Sequence, residues 1–231
     1  MLLTFHGGIS MVKRPKQKLW LLALAVVLLF SSPAGAELYI AGQIGVSIPN
    51  SFSNVEGVDS SSGLNISNLK LQDSVMYGAK LGYYFNSIKW LGIETEVYNT
   101  TPKSKQQNVT INGTPVNLVG QDIRVLTWAP IMVMVRYPGE RFQPYAGVGM
   151  GVYFARVHDG QSNESSDSNQ VGLNTQLGLR FLVTKHFSLF GEWKYNRVTF
   201  NFSDSRPNAA TGGLKGDYSA NIFAFGLGWH F

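Results

Sequence analysis

Three patterns in the 231-residue sequence predict an all-β chain, an eight-stranded antiparallel up-and-down transmembrane β-barrel. Apolar residues alternate with small or polar ones over eight segments. The links between the segments are alternately short and long. The last segment ends on an aromatic residue. In that segment Phe223, Phe225, Leu227, Trp229 and Phe231 take the odd positions, and Ala224, Gly226, Gly228 and His230 lie between them. A repeat of two is the repeat of a strand. One apolar face and one lean face suit a wall with lipid on one side and a narrow lumen on the other.

The N-terminus reads as a separate segment. Lys13, Arg14, Lys16 and Lys18 precede an apolar run from Leu19 to Phe30, followed by small residues at Ala34 and Ala36. This is the layout of a secretory signal peptide over 1–36, cleaved after Ala36, with Met1 or Met11 as its start. The run is shorter than the roughly 20 residues a transmembrane helix needs. Those four cations are part of the 19 Lys+Arg, and none of the 14 Asp+Glu lies in 1–36. The remainder, 37–231, therefore carries 15 cations against 14 anions, which gives no support for nucleic-acid binding. It fits one barrel domain. With no cysteine, a disulfide framework is excluded.

In order, the first strand sets Leu38, Ile40, Ile44 and Val46 against Ala41, Gln43, Gly45 and Ser47. The second, Val75 to Phe85, sets Val75, Tyr77, Ala79, Leu81, Tyr83 and Phe85 against Gly78, Lys80, Gly82 and Tyr84. In the third, Leu91, Ile93 and Val97 oppose Gly92, Glu94, Glu96 and Tyr98. The fourth, Gly120 to Tyr137, places Ile123, Val125, Ile131, Val133, Val135 and Tyr137 opposite Asp122, Arg124 and Arg136. The fifth alternates Val148, Met150, Val152 and Phe154 with Gly147, Gly149, Gly151 and Tyr153. The sixth sets Val171, Leu173, Leu177, Leu179 and Phe181 against Gly172, Asn174, Gln176, Gly178 and Arg180. The seventh sets Phe187, Leu189, Trp193 and Tyr195 against Ser188, Glu192, Lys194 and Asn196. The eighth is the Phe-terminated strand, which must pair with Leu38–Ser47 to close the sheet.

Residues 86–89, 138–142 and 184–186 are short turns, whereas 48–73, 100–118, 158–169 and 202–217 are long and rich in Ser, Asn, Gly, Asp and Thr. Short periplasmic turns and long external loops give outer-membrane barrels the same asymmetry. The tracts at Ser60–Ser67 and Gln161–Asn169 read as solvated loop tips. Three details strain the scheme. Pro130 implies a bulge or bend in the fourth strand. Leu126, Trp128, Met132 and Met134 load the lean face of that strand. Arg156 falls on the outward parity of the fifth.

The lean faces gather a lumen charge network: Lys80, Arg124, Arg136, Arg180 and Lys194 with Glu94, Glu96, Asp122 and Glu192. In a narrow barrel such charges must be paired or hydrated. Eight strands leave room for side chains rather than an open channel, so filling is expected ahead of conduction. Catalytic, cofactor-binding and metal-binding residues are expected to be none. His158 and Ser162 supply the residue types of a hydrolase, but in one loop without convergence. No cluster has metal-ligand spacing. Gly147, Gly149 and Gly151 repeat every two residues with no helix after them, so they form a lean strand face and not a phosphate loop. His230 reads as a polar lumen or interfacial side chain. Tyr83, Phe85, Trp90, Tyr137, Phe142, Phe181 and Phe187 flank the short turns, where an aromatic girdle meets the membrane surface. A soluble barrel with the apolar faces inward has the same periodicity; the aromatic terminus and loop asymmetry favour lipid.

Gln143-Pro-Tyr-Ala-Gly-Val-Gly-Met-Gly-Val-Tyr153, the stretch Gly178 to Tyr195 and the Phe-terminated strand carry a resemblance that spans 37–231. The chain resembles the small outer-membrane β-barrels that include the transmembrane domain of outer membrane protein A and the opacity-type surface proteins. The resemblance implies a Gram-negative outer membrane, with outer-membrane lipid and lipopolysaccharide around a monomer. It also implies insertion by the barrel-assembly machinery, with Phe223, Phe225, Leu227, Trp229 and Phe231 as the assembly signal. The chain stops at Phe231, so a peptidoglycan-tethering domain is not implied. The expected role is structural or surface-interactive through four external loops. The alternatives are a narrow pore for ions or small solutes, and a lipid-modifying enzyme built on His158 and Ser162.

Overall fold

In a computed structural model the described residues are 37–57, 65–66, 69–104, 107–111, 114–118, 122–158, 165–202 and 214–231. The segment assigned to the export signal lies outside them. Eight long strands form the wall: β1 (Glu37–Pro49), β4 (Ser74–Tyr84), β5 (Leu91–Thr100), β8 (Asp122–Arg136), β9 (Phe142–His158), β10 (Ser165–Leu182), β11 (Phe187–Phe202) and β12 (Leu214–His230). Each pairs antiparallel with the next, and β1 pairs with β12 from Tyr39↔His230 to Pro49↔Ala220, which closes the sheet. No edge is left in the wall, as a barrel in lipid requires. No helix among the described residues is long and apolar enough to cross a membrane.

Four short strands extend this plan where the sequence reads as loop. They are β2 (Ser53–Gly57), β3 (Asn65–Ile66), β6 (Gln107–Ile111) and β7 (Thr114–Leu118). Past Pro49, β2 takes over from β1 as the neighbour of β12, and β3, β6 and β7 follow it outward in the sheet. The tract at Gln161–Asn169 is likewise not all loop, because Ser165 to Asn169 continue β10 against β9. The pairing of Ser165 with His158 leaves a connection of only 159–164. Polar Ser and Asn there conceal a strand because that part of the wall stands above the lipid, where outward positions need no apolar residue.

The side chains partition as the alternation requires. Ile131, Met150, Val171 and Phe225 are each more than 60% exposed, and Phe223, Leu227, Trp229 and Phe231 are also exposed. Leu38, of the same outward parity, is instead buried. On β12 the outward apolar row runs from Phe223 to Phe231, and on β10 from Val171 to Phe181. At about 3.4 Å per residue and a tilt near 40°, these rows cover roughly 20–26 Å of the membrane normal, close to the ~25 Å apolar band of such barrels. A soluble protein does not expose so continuous an apolar belt. Tyr83–Phe85 and Phe142–Phe181 make ring contacts at 5.5 and 4.9 Å beside the short turns, where the girdle is expected.

The fourth wall strand corrects one expectation. Asp122 and Arg124, expected in the lumen, both point outward and are exposed. The register of β8 slips against β9 between Trp128 and Ile131 and against β5 between Ala129 and Met132, around Pro130. Proline lacks the ladder donor, and the extra residue of a bulge shifts every side chain beyond it to the other face. Beyond the bulge Val125, Thr127 and Ala129 face inward, while Arg124, Leu126 and Trp128 face outward. Before it, Met132 and Met134 remain inside and fully buried. The apolar bulk at Leu126 and Trp128 is thus the continuation of the lipid face.

Candidate functional site

Two adjacent pairs of strands, on opposite sides of the wall, build the centre of the lumen. Lys80 on β4 lies in register with Glu96 on β5, and Gln176 on β10 with Lys194 on β11. In the order of the closed sheet β5 and β11 are diametrically opposed. Even so, Lys194 Nζ reaches Glu96 at 2.7 Å and Glu192 at 2.9 Å, while Lys80 Nζ crosses to Glu192 at 2.5 Å and also meets Glu94 at 3.2 Å. Side chains from opposite walls meet, so they fill the bore. Gln176 joins the halves: its amide donates to Glu94 at 2.7 Å and its oxygen accepts from Lys194 at 2.6 Å. Asn174 and Gln43 donate to Glu96 at 2.9 and 3.2 Å.

Two rows of the sheet repeat one arrangement. Tyr39, Gly82 and Glu94 are in register on β1, β4 and β5, and Tyr145, Gly178 and Glu192 on β9, β10 and β11. In each row the tyrosine ring lies over the glycine, and its hydroxyl donates to the carboxylate on the strand beyond. A Cβ at Gly82 or Gly178 would occupy the ring's place. These glycines give the tyrosines their path.

Toward the short-turn end Glu37 ties three strands together. It meets Arg136 on β8 at 2.6 Å, Arg180 on β10 at 3.6 Å and His230 on β12 at 2.9 Å. His230 also contacts Ser188 Oγ at 2.7 Å. The Arg136 guanidinium rests 3.7 Å above the Tyr84 ring, and that of Arg180 4.1 Å above Tyr39. With Glu37 included, four cations (Lys80, Arg136, Arg180, Lys194) meet four carboxylates (Glu37, Glu94, Glu96, Glu192). Buried charge of this kind is tolerable only when balanced and hydrogen-bonded.

Toward the long-loop end the lumen changes character. Met76, Tyr98, Val125, Tyr153, Val198, Phe200, Tyr218 and Ile222 form a buried apolar cluster, with Phe52, Leu71 and Ile123 packed against it. Phe52 and Phe200 stack at 6.4 Å, and Tyr153 spends its hydroxyl on the Leu173 carbonyl at 2.7 Å.

Of the nine charges read from the sequence, Lys80, Glu94, Glu96, Arg136, Arg180, Glu192 and Lys194 converge in the lumen, and Asp122 and Arg124 do not. Glu37, Gln176, Asn174, Gln43 and the two tyrosines belong to the same network. Charge balance is the one signal for Glu37: with Asp122 and Arg124 both outside, four lumen cations face three acids, and Glu37 is the fourth. His158 ends β9, and Ser162 lies outside the described residues. Among the described residues, no group of His, Asp or Glu has the arrangement of a metal site.

The fold recurs in solved structures. Outer membrane protein AlkL, in lipid bilayers, aligns with 87% of this chain and 93% of its own at 15% identity and a TM-score of 0.56. OprG from Pseudomonas aeruginosa aligns with 85% of this chain and 96% of its own, at 16% identity and 0.54. Neisserial surface protein A covers 85% and 99%, at 17% and 0.52. These likenesses establish the shape. No curated protein sequence matches the chain. The sequence profile of the outer membrane protein beta-barrel domain matches residues 22–231. The chain therefore belongs to the outer membrane protein beta-barrel family and resides in the outer membrane.

Proposed function

We propose that the protein is a structural and surface-interaction barrel of the outer membrane, with a closed lumen and with its long external loops as the contact surface. One observation carries this reading: Lys194 and Lys80 meet carboxylates of the opposite wall, with side chains at most 2% exposed. Hydrated ions need an aqueous path that these contacts occupy. The buried apolar cluster on the long-loop side adds a second obstruction in series. In this reading the barrel is a non-enzymatic monomer. The assembly machinery inserts it by recognising the strand that carries Phe223, Phe225, Leu227, Trp229 and Phe231.

Electrical recording in planar bilayers tests the closed lumen. The expected trace shows no steady single-channel conductance at neutral pH. Reproducible ohmic steps from wild-type protein, reduced by Lys194→Met, would instead establish the narrow pore with the charge network as its gate.

A further inference from the structure

Above the apolar belt, on β8 and β9, three successive outward cross-strand pairs descend toward the membrane: Arg124–Arg156, Leu126–Phe154 and Trp128–Val152. The first pair is unfavourable as it stands. Two like charges directly opposite on one face of a sheet repel, and both arginines are exposed. Asp167 engages Arg156 through two hydrogen bonds, at 2.7 and 3.0 Å from Nε and Nη2, which among the described residues leaves Nη1 to donate elsewhere. Arg124 has only a neutral partner among the described residues, the Asn99 amide oxygen 2.8 Å from its Nε. Among the described residues its Nη1–Nη2 edge meets no acid, and the side chain is exposed. The nearby acid Asp122 is itself taken up by Lys103 at 3.1 Å.

The bulge at Ala129–Pro130 creates this surface. Without the register slip Arg124 would point into the lumen, and Leu126 and Trp128 with it. Bulges commonly re-aim side chains at functional positions. The result is a graded strip: two guanidiniums above, an aliphatic and an aromatic side chain in the middle, and an indole below. From Arg124 to Trp128 it runs about 14 Å along the strand. The strip lies at the long-loop edge of the belt, on the external side, where the outer leaflet places phosphorylated sugar headgroups above acyl chains. Guanidinium forks match phosphate oxygens two at a time, and aromatic rings favour the boundary between headgroup and chain.

We propose that the Arg124–Arg156 strip is a binding site for the phosphorylated glycolipid of the outer leaflet, with the phosphate bridging the two guanidiniums. It holds whether or not the lumen conducts.

The test uses the full barrel in uncharged detergent, with native mass spectrometry to count retained lipid. The probes are bisphosphorylated lipid A, the same lipid A without phosphates, and phosphatidylglycerol. Wild type is expected to retain phosphorylated lipid A roughly tenfold better than the dephosphorylated form, and R124Q/R156Q to lose that margin. R124K/R156K, which keeps charge without the fork, should fall between them. R124Q alone leaves the Arg156–Asp167 pair intact and should lose most of the preference, so it decides the question if the double variant does not fold. Equal retention of the three lipids by wild type, or an unchanged preference in R124Q, overturns the site. Retention of phosphatidylglycerol equal to that of lipid A overturns its assignment to a glycolipid.

Discussion

The two halves of the lumen are filled by opposite means. Near the short turns and at the centre, Lys80, Lys194, Arg136 and Arg180 are held by four carboxylates and a set of tyrosines and amides. Toward the long loops the same cylinder is packed with Tyr98, Tyr153, Val198, Phe200 and Ile222. The wall is continuous, so backbone hydrogen bonding does not distinguish the halves. The difference lies in tolerance. A network of ions is strong only when complete, because each partner removed strands a buried charge. An apolar cluster loses contacts in proportion to the atoms removed. The centre should therefore be brittle, and the outer half forgiving.

Lys194→Met should break the comparison most sharply. It leaves Glu96 and Glu192 short of a cation, and a loss of about 3–5 kcal/mol is expected from removing one member of a buried pair. The check is denaturant unfolding in micelles followed by tryptophan fluorescence. Adding Glu96→Gln to that variant should recover part of the loss, because the stranded charge goes too. If the single substitution is neutral, the central network is not what holds the bore closed.

The wall comes next in size. Leu227→Arg or Val133→Arg puts a cation on the lipid face, and near the midplane it should lower stability by about 2–4 kcal/mol. Heat-modifiable gel migration after refolding into vesicles measures it. Free tolerance at both positions would remove the lipid-facing assignment.

A milder probe addresses the outer half. Tyr153→Phe removes only the hydroxyl that donates to the Leu173 carbonyl. The expected change is about 1 kcal/mol, far below that of Lys194→Met. Matching losses would erase the distinction between the halves.

The smallest effect is at the rim. The Arg156 hydrogen bonds hold the Asp167 carboxyl below its ordinary value of 3.8, above the lipid belt on β10. A depressed folded value means that the contact contributes above pH 3.8 and is lost as pH falls through the lowered value. The pair is exposed, so salt should screen the effect. Stability measured from pH 6 down to pH 3 should fall slightly less in Asp167→Asn than in wild type.

The wall was legible because lipid enforces a repeat of two on every strand that crosses it. Thus the lipid faces of β9, β10, β11 and β12 and the pairing of β12 with β1 agree with the reading of the sequence. The reading failed where lipid stops enforcing anything. Ser165–Asn169 belongs to a strand whose polar composition resembles a loop. Pro130 signalled a bulge, but carrying strict parity through it put Asp122 and Arg124 on the wrong face. The lumen charges were identifiable from their parity. Their partners were not, since Tyr39–Gly82–Glu94 is a row across three strands with no trace along the chain.

The central claim, a bore closed by its own side chains, has a direct measurement because the protein contains no cysteine. Gln176→Cys places a single thiol among Glu94 and Lys194 at the centre of the lumen. Ser219→Cys places one near the outer rim as a control. In the folded barrel a water-soluble maleimide should label the rim thiol within minutes and leave position 176 unmodified until the barrel is heat-unfolded. Labelling of both at the same rate in the folded state would contradict a filled lumen.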